Sequence, residues 1–369
     1  MDRHCSNGGD PRRTHQKERT LTQLTDAYAA IAKSGRMEKT RIPRRETGRF
    51  DVRIDIAYTG VCHSDPLQID GAWGAGIYPM VPGHESTGLV TEVGPEVTKF
   101  QVGDRVGIGN YIDSDRTCWF CLNGMEHYCR NLNVTYNGYD KSGEPTYGTY
   151  SRSIVVDENY LVRIPGSLDL AAAAPLMCAG ITVYSPLRHF NVGPGTKIGI
   201  IGLGGLGHLA VKFAHALGAE VTVLSHGTSK KDDAFAFGAD DYRNTAEPDT
   251  FVERAEYFDI IICTVSAALN FDQLLSLVAF DGTFVNLGAP DGPVSIGMFS
   301  LILTRISFTS SAIGSIHETQ EMLDFCVKHG ITSEIEQIPA EGINDALDSL
   351  REHGGSKVRY RYVIDASTI

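Results

Sequence analysis

The sequence predicts an α/β protein in two parts, a β-rich, barrel-like part and a doubly wound parallel sheet. Three observations carry this. Val52, Ile54 and Ile56 alternate with polar residues, the period of a half-buried strand. From Gly83 to Val106, short strand-like runs are broken by Gly-Pro and Gly-Asp turns. After about residue 196 the texture becomes βαβ. Residues 197–201 read as a buried strand, 208–217 as a helix, 220–224 as a second strand, and 259–263 and 283–287 as further strands. Between the two textures, Leu170 to Leu176 reads as a helix start that Cys178 to Leu187 continues. A helix over 318–329 and a strand over 361–364 close the chain. No internal repeat or low-complexity linker interrupts it.

At 369 residues, about two domains are expected, and 42% hydrophobic content suffices for their cores. No run approaches the roughly 18 apolar residues of a membrane span. A net charge of −12 argues against a nucleic-acid partner, which needs a basic surface. Residues 1–20 are polar, carry Arg3, Arg12, Arg13, Lys17 and Arg19, and read as a disordered tail. The tail lacks an apolar signal core, and Asp2, Asp10 and Glu18 do not suit a transit peptide, so a cytoplasmic chain is expected. The eight cysteines then read as reduced thiols or metal ligands rather than a disulfide framework.

Gly202-Leu203-Gly204-Gly205-Leu206-Gly207 matches G-x-G-x-x-G. The string is weak alone, but here it follows an expected strand and opens an expected helix. Such glycines let the backbone approach a pyrophosphate at the helix N-terminus. The second strand decides between NAD and NADP. It runs out into Ser225, His226, Gly227, Thr228, Ser229, Lys230 and Lys231, with no carboxylate before Asp232. Hydroxyls and lysines suit a 2′-phosphate where an acid would repel it, so NADP(H) is expected. The alternative is that Lys230 and Lys231 form only a solvated helix face.

Cys62 in Gly60-Val-Cys-His-Ser-Asp65, His84 in Pro82-Gly-His-Glu85, and Cys178 are zinc-type ligands. Two thiolates and an imidazole leave a tetrahedral metal one open position, the mark of a catalytic rather than a structural zinc. Singly, each residue also reads as a buried small side chain or a loop histidine. Ser64 is placed to pass a substrate proton, Asp65 to orient a ligand imidazole, and Glu85 to act as an acidic neighbour of the metal. Cys118, Cys121 and Cys129 form C-x2-C-x7-C, most of a structural zinc loop. Asp115 stands three residues before Cys118, where the fourth ligand belongs. Either it completes the site or the lobe stands without metal.

Together these motifs resemble the zinc-dependent medium-chain alcohol dehydrogenases, from about residue 24 to the C-terminus. Within them they are similar to the cinnamyl-alcohol-dehydrogenase-like branch, including NADP-dependent aldehyde reductases. Tyr78-Pro-Met-Val-Pro-Gly-His-Glu85, Cys178-Ala-Gly-Ile-Thr182, Glu318-Thr-Gln-Glu-Met322 and Arg359-Tyr-Arg-Tyr-Val-Ile-Asp365 add to the match. The resemblance implies a GroES-like catalytic domain over 21–180, a Rossmann domain over 181–315, and a segment 316–369 that returns to the catalytic domain. It implies a homodimer acting on an alcohol or aldehyde. Cys62, His84 and Cys178 would hold catalytic zinc, with Glu85 as an alternate ligand. His63 would face the pyrophosphate, as would Arg361, while Ser64 and Thr182 would approach the nicotinamide. Thr264, Gly288, Ser311, Ala312 and Ile313 match cofactor-lining positions.

Three residues depart from the family pattern: Asp115 for the first lobe cysteine, Leu67 for a proton-relay histidine, and Pro66 beside it. Two other readings compete. One is a zinc-free quinone or enoyl reductase on the same scaffold. The other is a non-catalytic NADP-binding protein.

Overall fold

The computed structural model describes residues 23–290, 292–353, 358 and 360–369. The expected tail over 1–20 lies outside them, as does Arg359. The fold class is α/β, with two main sheets. One has six strands, all parallel, in the order Asp241–Asn244, Glu220–Ser225, Lys197–Ile201, Phe258–Cys263, Val278–Asn286, Ser307–Thr309. Lys197–Ile201 sits inside this sheet, so its isoleucines are covered on both faces and its sequence is a continuous apolar run.

The second sheet is built around Asp51–Gly60, which pairs with Ser86–Val93, Ser153–Asp157 and Arg361–Asp365. Register irregularities between Arg53 and Ile54 and between Ile56 and Tyr58 bend this strand. Val52, Ile54 and Ile56 are buried as their spacing predicts, but Arg53 is buried too. It lies between two neighbouring strands and pairs with Glu92, so alternation is incomplete. The last strand, Arg361–Asp365, lies against the end of Asp51–Gly60 with Val363 opposite Gly60. The C-terminal segment thereby joins the N-terminal sheet.

The expected continuous helix from Leu170 to Leu187 is corrected. A short α-turn, Leu170–Ala173, passes into a 3-10 turn, Ala174–Met177, and a separate helix, Ala179–His189, begins at an angle of 57°. Pro175 has no N–H to continue the α-ladder, and the Cys178 N–H bonds back only three residues, to Pro175 O. Cys178 itself, at φ −130° and ψ −65°, is the corner. The strand expected over 283–287 begins five residues earlier, as Val278–Asn286. The helix expected at 318–329 starts earlier, at Ile316–His329, because Ser315 and Glu318 form a reciprocal capping box. No single helix among the described residues is long and apolar enough to cross a membrane.

The glycine loop closes tightly. Gly202 has φ +87°, and a Cβ on Gly207 would fall 2.0 Å from Gly202 O. His208, fully buried in the first turn of Gly207–Leu217, ties this loop to the C-terminal segment. The Glu334 N–H donates to His208 Nε2 at 3.2 Å, so the proton is on Nδ1, which lies 3.1 Å from Gly204 O. The ring stacks on Tyr360 at 5.1 Å.

Burial, and then nearby Lys212, push the His208 pKa down to about 3. The folded state therefore excludes a proton that the unfolded chain takes up below its ordinary value of about 6.5. Stability falls as pH drops from 6.5 towards 3, by about 2 kcal/mol at pH 5 from this group. We expect His208→Gln to flatten the loss of unfolding stability between pH 7 and pH 5. An unchanged slope would contradict this.

Candidate active site

The strand Asp51–Gly60 ends on Gly60, where a Cβ would fall 2.3 Å from Glu85 Oε2. Only glycine lets the two segments approach this closely. The next residues turn into the short helix Ser64–Ile69, which leaves Cys62 at the corner and His63 at the helix start. His84 and Glu85 directly precede the neighbouring strand Ser86–Val93. Cys178 arrives from the corner described above. Cys62, His84, Glu85 and Cys178 are all buried, and their ligand atoms lie within 4.8 Å of one another.

Asp65 organises these ligands. It is fully buried and accepts from Tyr136 Oη at 2.9 Å, Tyr150 Oη at 3.0 Å and the Cys62 N–H at 2.9 Å. His84 Nδ1 lies 3.3 Å from its Oδ1, which leaves the Nε2 lone pair for a metal. Burial opposes a charge on His84, but Asp65 and Cys62 raise its pKa well above the usual value. The hydrogen bond from Cys178 lowers the Cys62 pKa, while that contact and burial raise the Cys178 pKa. A bound dication would take both as thiolates and release their protons. This donor set fits zinc.

Ser64 Oγ lies 3.3 Å from His84 Nε2. Burial pushes the Glu85 pKa up to about 8, against the pull of Arg361, whose Nη2 lies 3.1 Å from Glu85 Oε1. Arg361 also packs on the glycine loop, its guanidinium carbon 3.1 Å from where a Cβ on Gly205 would be. Its buried Nε has no hydrogen-bond partner among the described residues. A phosphate on the loop would meet that donor.

Of the remaining expected cofactor residues, Thr264 and Lys230 touch the same loop. Gly204 faces open space, while Leu203 is buried in the core and Leu206 packs at its edge. The Thr264 hydroxyl donates to Ile201 O at 2.9 Å. Gly288 packs against the Val265 carbonyl, which a Cβ would strike. Lys230 Nζ donates to Leu203 O at 3.0 Å and lies over the Tyr360 ring. Ser225 ends its strand half-buried, and Thr228 is exposed beyond it. Thr182 stands one turn after Cys178, its N–H on Cys178 O. Of the 311–313 stretch, Ile313 adopts φ +36° and packs against both main cores.

A second cluster, Asp115, Cys118, Cys121 and Cys129, also holds its ligand atoms within 4.8 Å. Asp115 Oδ1 accepts the N–H groups of Thr117 and Cys118, both at 2.9 Å. The Cys118 and Thr117 N–H groups hold its carboxyl well below the usual range. Trp119, on this lobe, is exposed and packs edge-on to Phe120, and Trp73 is also exposed.

Sequence reasoning missed four residues here. Tyr136 and Tyr150 lie 71 and 85 residues from Asp65, too far for any local pattern to pair them. Asn110, beside Cys178, and His208 carry no motif either.

The chain is similar to known proteins along most of its length. Residues 48–166 match the alcohol dehydrogenase GroES-like domain and residues 205–328 the zinc-binding dehydrogenase family. The NADP-dependent alcohol dehydrogenase C of Mycobacterium tuberculosis is 52% identical over 344 residues, 93% of this chain and 99% of that protein. The aldehyde reductase YahK of Escherichia coli is 46% identical, over 93% of this chain and 98% of its own. Among solved structures, a cinnamyl alcohol dehydrogenase of Sorghum bicolor superposes with a TM-score of 0.91 at 41% identity, covering 94% and 98% of the two chains. That of Helicobacter pylori, complexed with NADP(H), gives 0.88 at 39% identity over 94% and 99%. The chain belongs to the zinc-binding, GroES-like family of alcohol dehydrogenases, and is an oxidoreductase.

Proposed function

We propose that this chain interconverts aldehydes and primary alcohols with NADP(H), and that aromatic or medium-chain aldehydes are its main substrates. The observation that carries the reading is Arg361. Its guanidinium touches Glu85 of the metal-type cluster on one side and packs on Gly205 of the dinucleotide loop on the other. Relatives named for NADP-dependent alcohol and aldehyde chemistry support it. When bound, zinc supplies Lewis acidity towards an oxygen and the nicotinamide supplies or accepts hydride.

The chain's own residues do the rest. Cys62, His84 and Cys178 hold the metal, and Asp65 fixes the imidazole through Nδ1. Glu85 is an alternate ligand, kept in place by Arg361. Gly202 to Gly207, His63 and Arg361 bind the pyrophosphate. Thr182, Thr264, Gly288, Ser311, Ala312 and Ile313 line the nicotinamide side. Ser225, Thr228 and Lys230 favour a 2′-phosphate. Ser64 Oγ gives or takes the substrate proton. Leu67 has no titratable group, so it cannot relay the proton that Ser64 carries. This reading divides the chain into a catalytic part, 21–180 with 316–369, and a cofactor part, 181–315. Seven described cysteines are free, which suits a reducing cytoplasm.

Two outcomes test the proposal. NADPH oxidation with cinnamaldehyde or benzaldehyde should show a higher kcat/KM than NADH oxidation, and chelation should abolish it. A reversed cofactor preference, or full activity in metal-free protein, would overturn the reading. We also propose that Asp115 completes a Cys3Asp zinc site. Metal analysis should then give two zincs per chain for the parent and one for Asp115→Ala, and one in the parent refutes the second site. Finally, the edge strand Ser307–Thr309 adjoins exposed Phe299 and Leu303, each 75% accessible. An apolar patch beside an unpaired edge suits a second copy of this chain. Sedimentation should give twice the chain mass, and a monomer at micromolar concentration would exclude the homodimer.

A further inference from the structure

Asn110 follows the strand Arg105–Ile108 by two residues, and its main chain is pinned where Thr135 N–H donates to Asn110 O at 3.0 Å. Its side-chain amide faces the Cys178 sulfur, with Oδ1 3.7 Å from Sγ. The other end, Nδ2, is buried and has no hydrogen-bond partner among the described residues. This orientation suits a protonated Cys178, whose S–H can donate. It is the wrong way round for a thiolate, which only accepts. A half-turn of the amide about its last bond exchanges two atoms of nearly equal size. The half-turn places an N–H against the sulfur and removes the orphaned donor in one motion.

We propose that Asn110 is a positioning residue for the metal centre, donating its amide N–H to the Cys178 thiolate. The proposal rests on the metal reading of Cys62, His84 and Cys178. A hydrogen bond to a ligating thiolate withdraws electron density from sulfur and fixes the direction of its lone pairs. Cys178 needs such a partner because it sits at a helix corner, with its own N–H turned back to Pro175 O. After the half-turn, Oδ1 still needs a donor. Asn110 lines a cavity of about 10 Å³ with Gly107, Tyr111, Met177 and Ile313. That is about the smallest space that admits a water.

Cobalt exchange tests this without any measurement of turnover. The cobalt-loaded parent should show thiolate-to-metal charge-transfer absorption. In Asn110→Leu the sulfur becomes more electron-rich, so the band should move to longer wavelength and the cobalt dissociation constant should rise about tenfold or more. Asn110→Asp keeps the shape, removes the N–H and sets a carboxylate against the thiolate. It should weaken cobalt binding further, and it keeps the test open if the leucine variant does not fold. A parent band that neither variant moves would overturn the role of Asn110 alone. Weaker binding with an unshifted band would mean packing only, and would overturn it too. A parent with no thiolate band would remove the metal reading itself.

Discussion

Asp65 is the group on which the site depends. A carboxylate with no solvent exposure costs several kcal/mol unless it is hydrogen-bonded. Here two tyrosine hydroxyls and one backbone N–H donate to its two oxygens, and the ligand imidazole Nδ1 lies 3.3 Å from Oδ1. The desolvation cost is thus converted into geometry. The Cys62 backbone is held three residues away, His84 is held in one tautomer, and the segment with Tyr136 and Tyr150 is drawn over both. Removing any one donor would leave an under-satisfied buried charge, so the ligands cannot drift independently.

Arg361 extends that constraint to the other sheet. Strand pairing sets its position: Val363 lies opposite Gly60, and Val61 N–H donates to Tyr362 O at 2.9 Å. The residue is therefore carried beside Cys62 by the backbone, whatever its side chain does. From there the guanidinium reaches both Glu85 and the glycine loop. Its pKa is raised because Glu85, Cys62 and Cys178 outweigh the burial that opposes its charge. The metal-type cluster and the dinucleotide loop meet at one buried cation. His208 makes a similar joint from the other direction, between Gly204 and Glu334.

What the sequence reveals follows the range of the forces involved. The strands of the parallel sheet are continuous apolar runs, so Lys197–Ile201 was readable to the residue and Gly207–Leu217 to within one. The ligands Cys62, His84 and Cys178 sit in short motifs that a local scan can see. The corner at Cys178 was not readable, because the apolar pattern continues through it and only the missing N–H of Pro175 marks the break. The alternation at Val52 to Ile56 hid the burial of Arg53, because a partner 39 residues away covers it. The tyrosines on Asp65, the amide at Asn110 and the imidazole at His208 were beyond reach for the same reason. Each is polar and paired across the fold, and no helix or strand period records such a pairing.

Ile313 shows how the two cores are held in register. A β-branched residue at positive φ costs on the order of 1–3 kcal/mol. Its side chain is half-buried against the apolar clusters of both main sheets, and that contact offsets part of the strain. Gly314, next in the chain, packs so closely on Ile181 that a Cβ would fall 2.6 Å from its side chain. Ile181 lies in the helix that begins after Cys178. The connection that leaves the parallel sheet is thus pressed against the helix that presents the third ligand. A displacement of either core would be felt at Cys178 through one shared contact, before any cofactor or substrate is bound.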